Sequence, residues 1–123
     1  MRTLETFPPE EQELLRKATE VICSVARQHG VEVVQIHLFG SRARGDAQRD
    51  SDWDFYVVID KETSFAQRQQ IASRIRRSLA QQRMACDVLV QGEQTVSQRH
   101  SDTGYLTYYA LREGVPLYEH RHG

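Results

Sequence analysis

Apolar residues recur at three- and four-residue spacing through Leu14, Leu15, Ala18, Val21, Ile22, Val25 and Ala26, which predicts an amphipathic helix. Thr6 or the Pro8-Pro9 pair opens it, Glu10, Glu11 and Glu13 suit the positive end of its dipole, and Gly30 stops it. The pattern then changes. Val33 to Phe39 is rich in β-branched residues and predicts a strand leading into a Gly40-Ser41 turn, from which a short helix runs to about Ala47. A second strand, Asp54 to Ile59, is entered through Ser51, and its continuous apolar run predicts burial on both faces. Ser64 caps a predicted helix with Phe65, Ala72, Ile75 and Leu79 as its core stripe, and Met84 to Val90 reads as a third strand. Thr95 to Leu111 is predicted helical despite Gly104 at its centre. Gly114 ends that helix, and Val115 to Tyr118 form a short strand that Pro116 confines to an edge.

The order α-β-α-β-α-β-α-(β) predicts an α/β or α+β fold, a sheet covered by helices. The short connection between the first two strands leaves their relative direction open. A chain of 123 residues fits one domain over 1–123. The formal net charge of −1 gives bulk electrostatics no reason to favour nucleic acid or an anionic membrane. No apolar run approaches the roughly 18 residues that cross a bilayer. The N-terminus lacks the basic and apolar regions of a signal peptide. Cys23 and Cys86 lie in apolar-flanked stretches and read as reduced, packed thiols, so a cytoplasmic protein is expected.

Charge is unevenly placed. Asp46, Asp50, Asp52 and Asp54 crowd one segment, with Arg42, Arg44 and Arg49 among them. A later group, Arg68, Arg74, Arg76, Arg77 and Arg83, is either a solvated face or a dock for an acidic partner.

The first cluster carries the candidate chemistry. A strand ending in Gly40-Ser41 and feeding a helix presents free backbone N–H groups at a positive dipole end, an arrangement that binds phosphate. The Ser41 hydroxyl is a further donor to phosphate, a helix cap, or both. Arg42 and Arg44 either reach phosphate as well or serve locally, Arg44 by pairing with Asp46 or Asp50. Asp52 and Asp54, two residues apart at a strand entrance, share a face roughly 6.5–7 Å apart. Two such carboxylates repel unless a cation lies between them, and hard oxygen donors suit Mg²⁺ completed by substrate phosphates. The bland alternative is a turn or cap. Asp87, near the head of an apolar strand, is a candidate third ligand, since an acid there is costly if it is buried without a partner; the alternative is a solvated strand-initial residue. Trp53, between the two aspartates, points to the opposite face and reads as core rather than as a base-stacking group.

The run Gly40-Ser41-x-Ala43-Arg44-Gly45, then Ser51-Asp52-x-Asp54, with Asp87 on a later strand, resembles the DNA polymerase β-like nucleotidyltransferases. More narrowly it resembles the minimal nucleotidyltransferase (MNT) proteins, and the segment Tyr109 to Glu119 is similar to the usual end of such domains. The resemblance implies a short mixed β-sheet flanked by helices. It implies Gly40 and Ser41 on a triphosphate, and Asp52, Asp54 and Asp87 as Mg²⁺ ligands, with Asp87 nearest the acceptor hydroxyl. It further implies a HEPN-domain toxin as partner in a hetero-oligomer, with AMP transferred from ATP to a tyrosine of that toxin.

Two other functions remain open at this level. The chain is otherwise an antitoxin acting by binding alone, or a nucleotidyltransferase for a small molecule. The small size favours a protein acceptor over the third reading. Tyr105, Tyr108 and Tyr109 are either a partner-binding face or core.

Overall fold

The computed structural model describes residues 2–99 and 112–120. A 3-10 turn over Leu4–Thr6 precedes α1 (Pro9–Gln28), β1 (Val33–Phe39), α2 (Gly40–Arg44), β2 (Trp53–Ile59), α3 (Phe65–Ala80), β3 (Cys86–Gly92), α4 (Glu93–Arg99) and β4 (Val115–Glu119). Proline in the first turn of α1 lacks an N–H that would have had no partner there, and Glu10 and Glu11 complement the dipole. α3 is capped as its sequence predicts: the Ser64 hydroxyl accepts from the Gln67 N–H at 3.1 Å.

The strands form one mixed sheet in the order β3-β2-β1-β4. β1 runs antiparallel to both β2 and β4, whereas β2 and β3 are parallel. The direction left open by the sequence is thus antiparallel for the first pair, and α3 supplies the crossover that a parallel β2–β3 pair requires. β4 lies at an edge, as Pro116 demands.

Alternation along the strands divides the side chains between two faces. On one face Ile36, Leu38, Phe55, Val57, Ile59, Val88 and Val90 pack with Leu15, Ala18 and Ile22 of α1 and Ile71, Ala72, Ile75 and Leu79 of α3. Trp53 joins this core, as its position between two aspartates implies. The other face carries a smaller cluster of Val34, Tyr56, Val58 and Val96, with Phe39 and Leu89 against it. Residues 55–59 are all buried, which accounts for the unbroken apolar run of β2.

Five local expectations are corrected. Phe65 is 68% exposed at the start of α3, and Ile71 takes the place in the core stripe that Phe65 was expected to fill. α2 stops at Arg44 because Gly45 turns left-handed, three residues short of Ala47. β2 begins one residue early, at Trp53, and β3 covers Cys86–Gly92 rather than Met84 to Val90. α4 begins at Glu93, directly after β3, two residues before the predicted Thr95; the rest of the helix predicted to Leu111 falls on residues 100–111, outside the described residues, as do Tyr105, Tyr108 and Tyr109. Its start is held by Glu62, whose carboxylate accepts from the Thr95 N–H at 3.0 Å and the Thr95 hydroxyl at 3.1 Å.

Candidate active site

The sheet register assembles the acidic residues. Asp54 is the Cα partner of Asp87 on the parallel neighbour β3 and of Phe39 on the antiparallel neighbour β1. Hydrogen-bonded strands lie about 4.8 Å apart, so the Asp54 and Asp87 side chains rise side by side from the face that α1 and α3 leave uncovered. Asp52, two residues ahead of Asp54 and just outside β2, is near enough for its charge to act on Asp54. Phe39 opposite Asp54 is the last residue before Gly40, which brings the Gly-Ser turn against the same carboxylate.

Gly40 has φ +75°, and a β-carbon there would overlap Asp54 Oδ2 and lie 3.1 Å from Asp54 Cγ. Only glycine tolerates both the left-handed backbone and that close approach. No side chain caps α2: Phe39 occupies the cap position, and Ser41 sits inside the first turn. Ser41 is therefore not the cap of α2, whose first backbone N–H groups have no intrahelical carbonyl to bond.

The electrostatics record the crowding. Asp54 is held above the usual carboxylate range, first by burial, then by the charges of Asp87 and Asp52, with Arg44 pulling the other way. Both carboxylates therefore act on Asp54 as near neighbours. They do not form a closed cage: among the described residues no three Asp, Glu, His or Cys side chains are grouped so as to hold a metal ion. The donor set is all hard oxygen, and a divalent cation would offset the repulsion that raises Asp54. In that sense the residues suit Mg²⁺. Cys86, adjacent to Asp87, packs against the main core on the opposite side of β3, where burial chiefly pushes its thiol up to about 11.

The two arginines separate. Arg44 is exposed, 3.4 Å from Asp46 Oδ2, and its charge is felt at Asp54. A cleft of about 440 Å³ opens beside it, lined by Arg2, Ala43, Arg44, Arg112 and Glu113. Arg42 is turned into the protein instead. Its guanidinium donates to the Ser51 and Arg49 carbonyls, stacks on Trp53 at 4.3 Å and stands 3.6 Å from Glu11. Sequence reasoning left Arg42 between a phosphate contact and a local role and did not foresee these particular partners. Its main acceptors are backbone carbonyls, which carry no residue-type signal.

The sequence pattern of the polymerase beta nucleotidyltransferase family matches residues 20–122. The chain belongs to that family. Solved structures agree. A nucleotidyltransferase-assigned protein from Sulfolobus solfataricus is 25% identical, with TM-score 0.60, over 90% of this chain and 85% of that one. A toxin–antitoxin complex with AMP-PNP is 22% identical, with TM-score 0.57, over 83% and 73%. The complex of tri-AMPylated Shewanella oneidensis HEPN toxin with its MNT antitoxin is 18% identical, with TM-score 0.54, over 86% and 73%. No curated protein sequence matches the chain. The nucleotidyltransferase fold expected from the Gly-Ser and Asp-x-Asp motifs, with a mixed sheet flanked by helices, is the fold observed.

Proposed function

We propose that the chain, acting as one minimal nucleotidyltransferase domain over residues 1–123, transfers AMP from ATP to a tyrosine hydroxyl of a HEPN-domain toxin. It would do so as part of a hetero-oligomer with that toxin in the cytoplasm. The observation that carries the reading is the register pairing of Asp54 with Asp87, with Asp52 near enough to add to the charge repulsion at Asp54. Burial and the charges of Asp87 and Asp52 all weigh against the ionised form of Asp54, and a divalent cation would offset that repulsion. The neighbouring complexes, one with AMP-PNP and one with an AMPylated HEPN toxin, support the choice of nucleotide and of partner.

In this reading Asp52, Asp54 and Asp87 hold Mg²⁺, which when bound offsets the charge of the triphosphate and of the departing pyrophosphate. Gly40 and Ser41 offer backbone N–H groups and a hydroxyl to the phosphates, and exposed Arg44 adds a positive charge on the same side. The acceptor oxygen bonds to the α-phosphorus as the bond from that phosphorus to the bridging oxygen of the β-phosphate breaks. Pyrophosphate leaves with the electron pair. Asp87, exposed and on the outer strand of the described sheet, takes the proton of the acceptor hydroxyl. An acceptor supplied by another protein approaches from this open side.

The test uses α-labelled ATP, Mg²⁺ and the HEPN partner. A covalent adduct that Asp52→Asn and Asp54→Asn each abolish is the expected result. If both variants neutralise the toxin fully at equal concentration and no adduct forms with the wild type, transfer is wrong and the chain acts by binding.

A further inference from the structure

We propose that Arg42 is a positioning residue for Asp52: it fastens the loop of residues 45–52 to α2 and does not contact the nucleotide. The inference rests on the nucleotidyltransferase reading above and assigns a part within it.

Asp52 is exposed, and among the described residues its carboxylate has no hydrogen bond or ion pair to hold it. Its place is therefore set by the backbone on either side. Arg42 grips both sides. Nη2 donates to the Ser51 carbonyl at 2.7 Å and Nε to the same oxygen at 3.2 Å, while Nη2 also reaches the Arg49 carbonyl at 3.2 Å. The guanidinium plane lies 4.3 Å above the Trp53 ring. Ser51 and Trp53 are the two chain neighbours of Asp52.

The clamp is itself anchored. Its side chain is 14% exposed, and Nη1 stands 3.6 Å from Glu11 in the first turns of α1. The Arg42 carbonyl accepts from Arg2 Nη1 at 3.0 Å, and Arg2 in turn stacks on Phe7 at 4.1 Å. The loop also closes on itself, with the Ser51 N–H donating to the Gln48 carbonyl at 3.1 Å and the Gln48 N–H to the Ser51 hydroxyl at 2.8 Å. Arg42 thus links a small preformed loop to the helix that begins at Gly40, and fixes Asp52 relative to the phosphate-facing turn. A planar fork that donates edge-on to carbonyls and stacks on an indole is a task for arginine, and lysine has neither the plane nor the fork.

The experiment measures Mn²⁺ binding to the protein with a non-hydrolysable ATP analogue, and analogue binding without metal, for wild type, Arg42→Ala, Arg42→Lys and Arg44→Ala. Both Arg42 variants are expected to weaken Mn²⁺ in the ternary complex by about 10- to 100-fold, the usual effect of removing a group that orients a ligand. Metal-free analogue binding stays unchanged in the Arg42 variants and weakens in Arg44→Ala. In an Asp52→Asn background the effect of Arg42→Ala on Mn²⁺ disappears, since there is no carboxylate left to position. Should Arg42→Ala prove unfolded by circular dichroism, Arg42→Lys carries the same comparison. The inference is overturned if the Arg42 variants lose metal-free analogue binding while keeping Mn²⁺ affinity, or if their effect persists undiminished in Asp52→Asn. Wild-type protein without metal-assisted analogue binding overturns the nucleotidyltransferase reading itself. Wild-type binding with unaffected Arg42 variants overturns only the role of Arg42.

Discussion

Gly40 and Asp54 share one small space: a β-carbon on residue 40 would overlap Asp54 Oδ2, so the turn after β1 and the carboxylate at the head of β2 fit only because residue 40 has no side chain. Gly40→Ala has two separable costs. The left-handed backbone at φ +75° alone costs roughly 1–2 kcal/mol for a non-glycine residue, read as a shift in the urea midpoint. Displacement of Asp54 adds a loss of transfer rate of about 100-fold or more, since an ångström of misplacement in a site is worth that much. A variant with wild-type adduct rate would show that Asp54 tolerates another position.

Asp54 gives a pH-dependent prediction. Its pKa is raised on folding from an ordinary value of 3.8, so the folded protein holds the proton more tightly than the unfolded chain. The ionised form therefore weighs against folding: stability is lost as pH rises from about 3.8 through the raised value, and the loss persists at neutral pH. In metal-free buffer Asp54→Asn should raise Tm by a few degrees at pH 7, and the gain should shrink as the pH falls toward 3.8. Added Mg²⁺ and ATP should stabilise the wild type and leave the variant unmoved. Calorimetry across pH checks both, and an asparagine variant less stable than wild type at pH 7 contradicts the account.

Cys86 should be chemically quiet although it adjoins the site. Its thiol is pushed up from 9.0 to about 11, by burial above all and further by Asp87, Asp52 and Asp54, against the opposing Arg76. Two pH units reduce the thiolate by about a hundredfold, so iodoacetamide at pH 7.5 should label it that much more slowly than a free cysteine. Mass spectrometry of timed samples reads the rate. Prompt labelling in the folded protein would mean that the residue is more open than its half-buried position allows.

Glu62 offers a control remote from the acidic cluster. Its carboxylate takes the Thr95 N–H and hydroxyl at the start of α4. Glu62→Ala should lower stability by about 1 kcal/mol, the usual cost of losing a helix cap, with nucleotide affinity unchanged. Denaturation and analogue titration on the same sample separate the two effects.

Much of this architecture was legible before any coordinates, because the signals are local. The period of Leu14 to Ala26, the cap at Ser64 and the β-branched run from Val33 each reflect a short-range preference, and the corresponding elements form. Phe65 misled because a large apolar residue at the first position of a helix is not bound to face the core; the phase of α3 is set by Ile71, Ile75 and Leu79, which pack on the sheet. The spacing of Asp52 and Asp54 is also local, since alternation in a strand puts both on one face wherever that strand lies.

What the chain by itself determined, then, is which residue types stand in helical or extended segments and which carboxylates travel together. Only the tertiary structure decided that Asp87 stands opposite Asp54, that β1 and β2 are antiparallel, and that Arg42 closes on Ser51 while Arg44 remains outside. Register and strand direction come from packing between segments far apart in the chain. A guanidinium that chooses backbone carbonyls finds partners that every residue carries, so no pattern of side chains announces the choice.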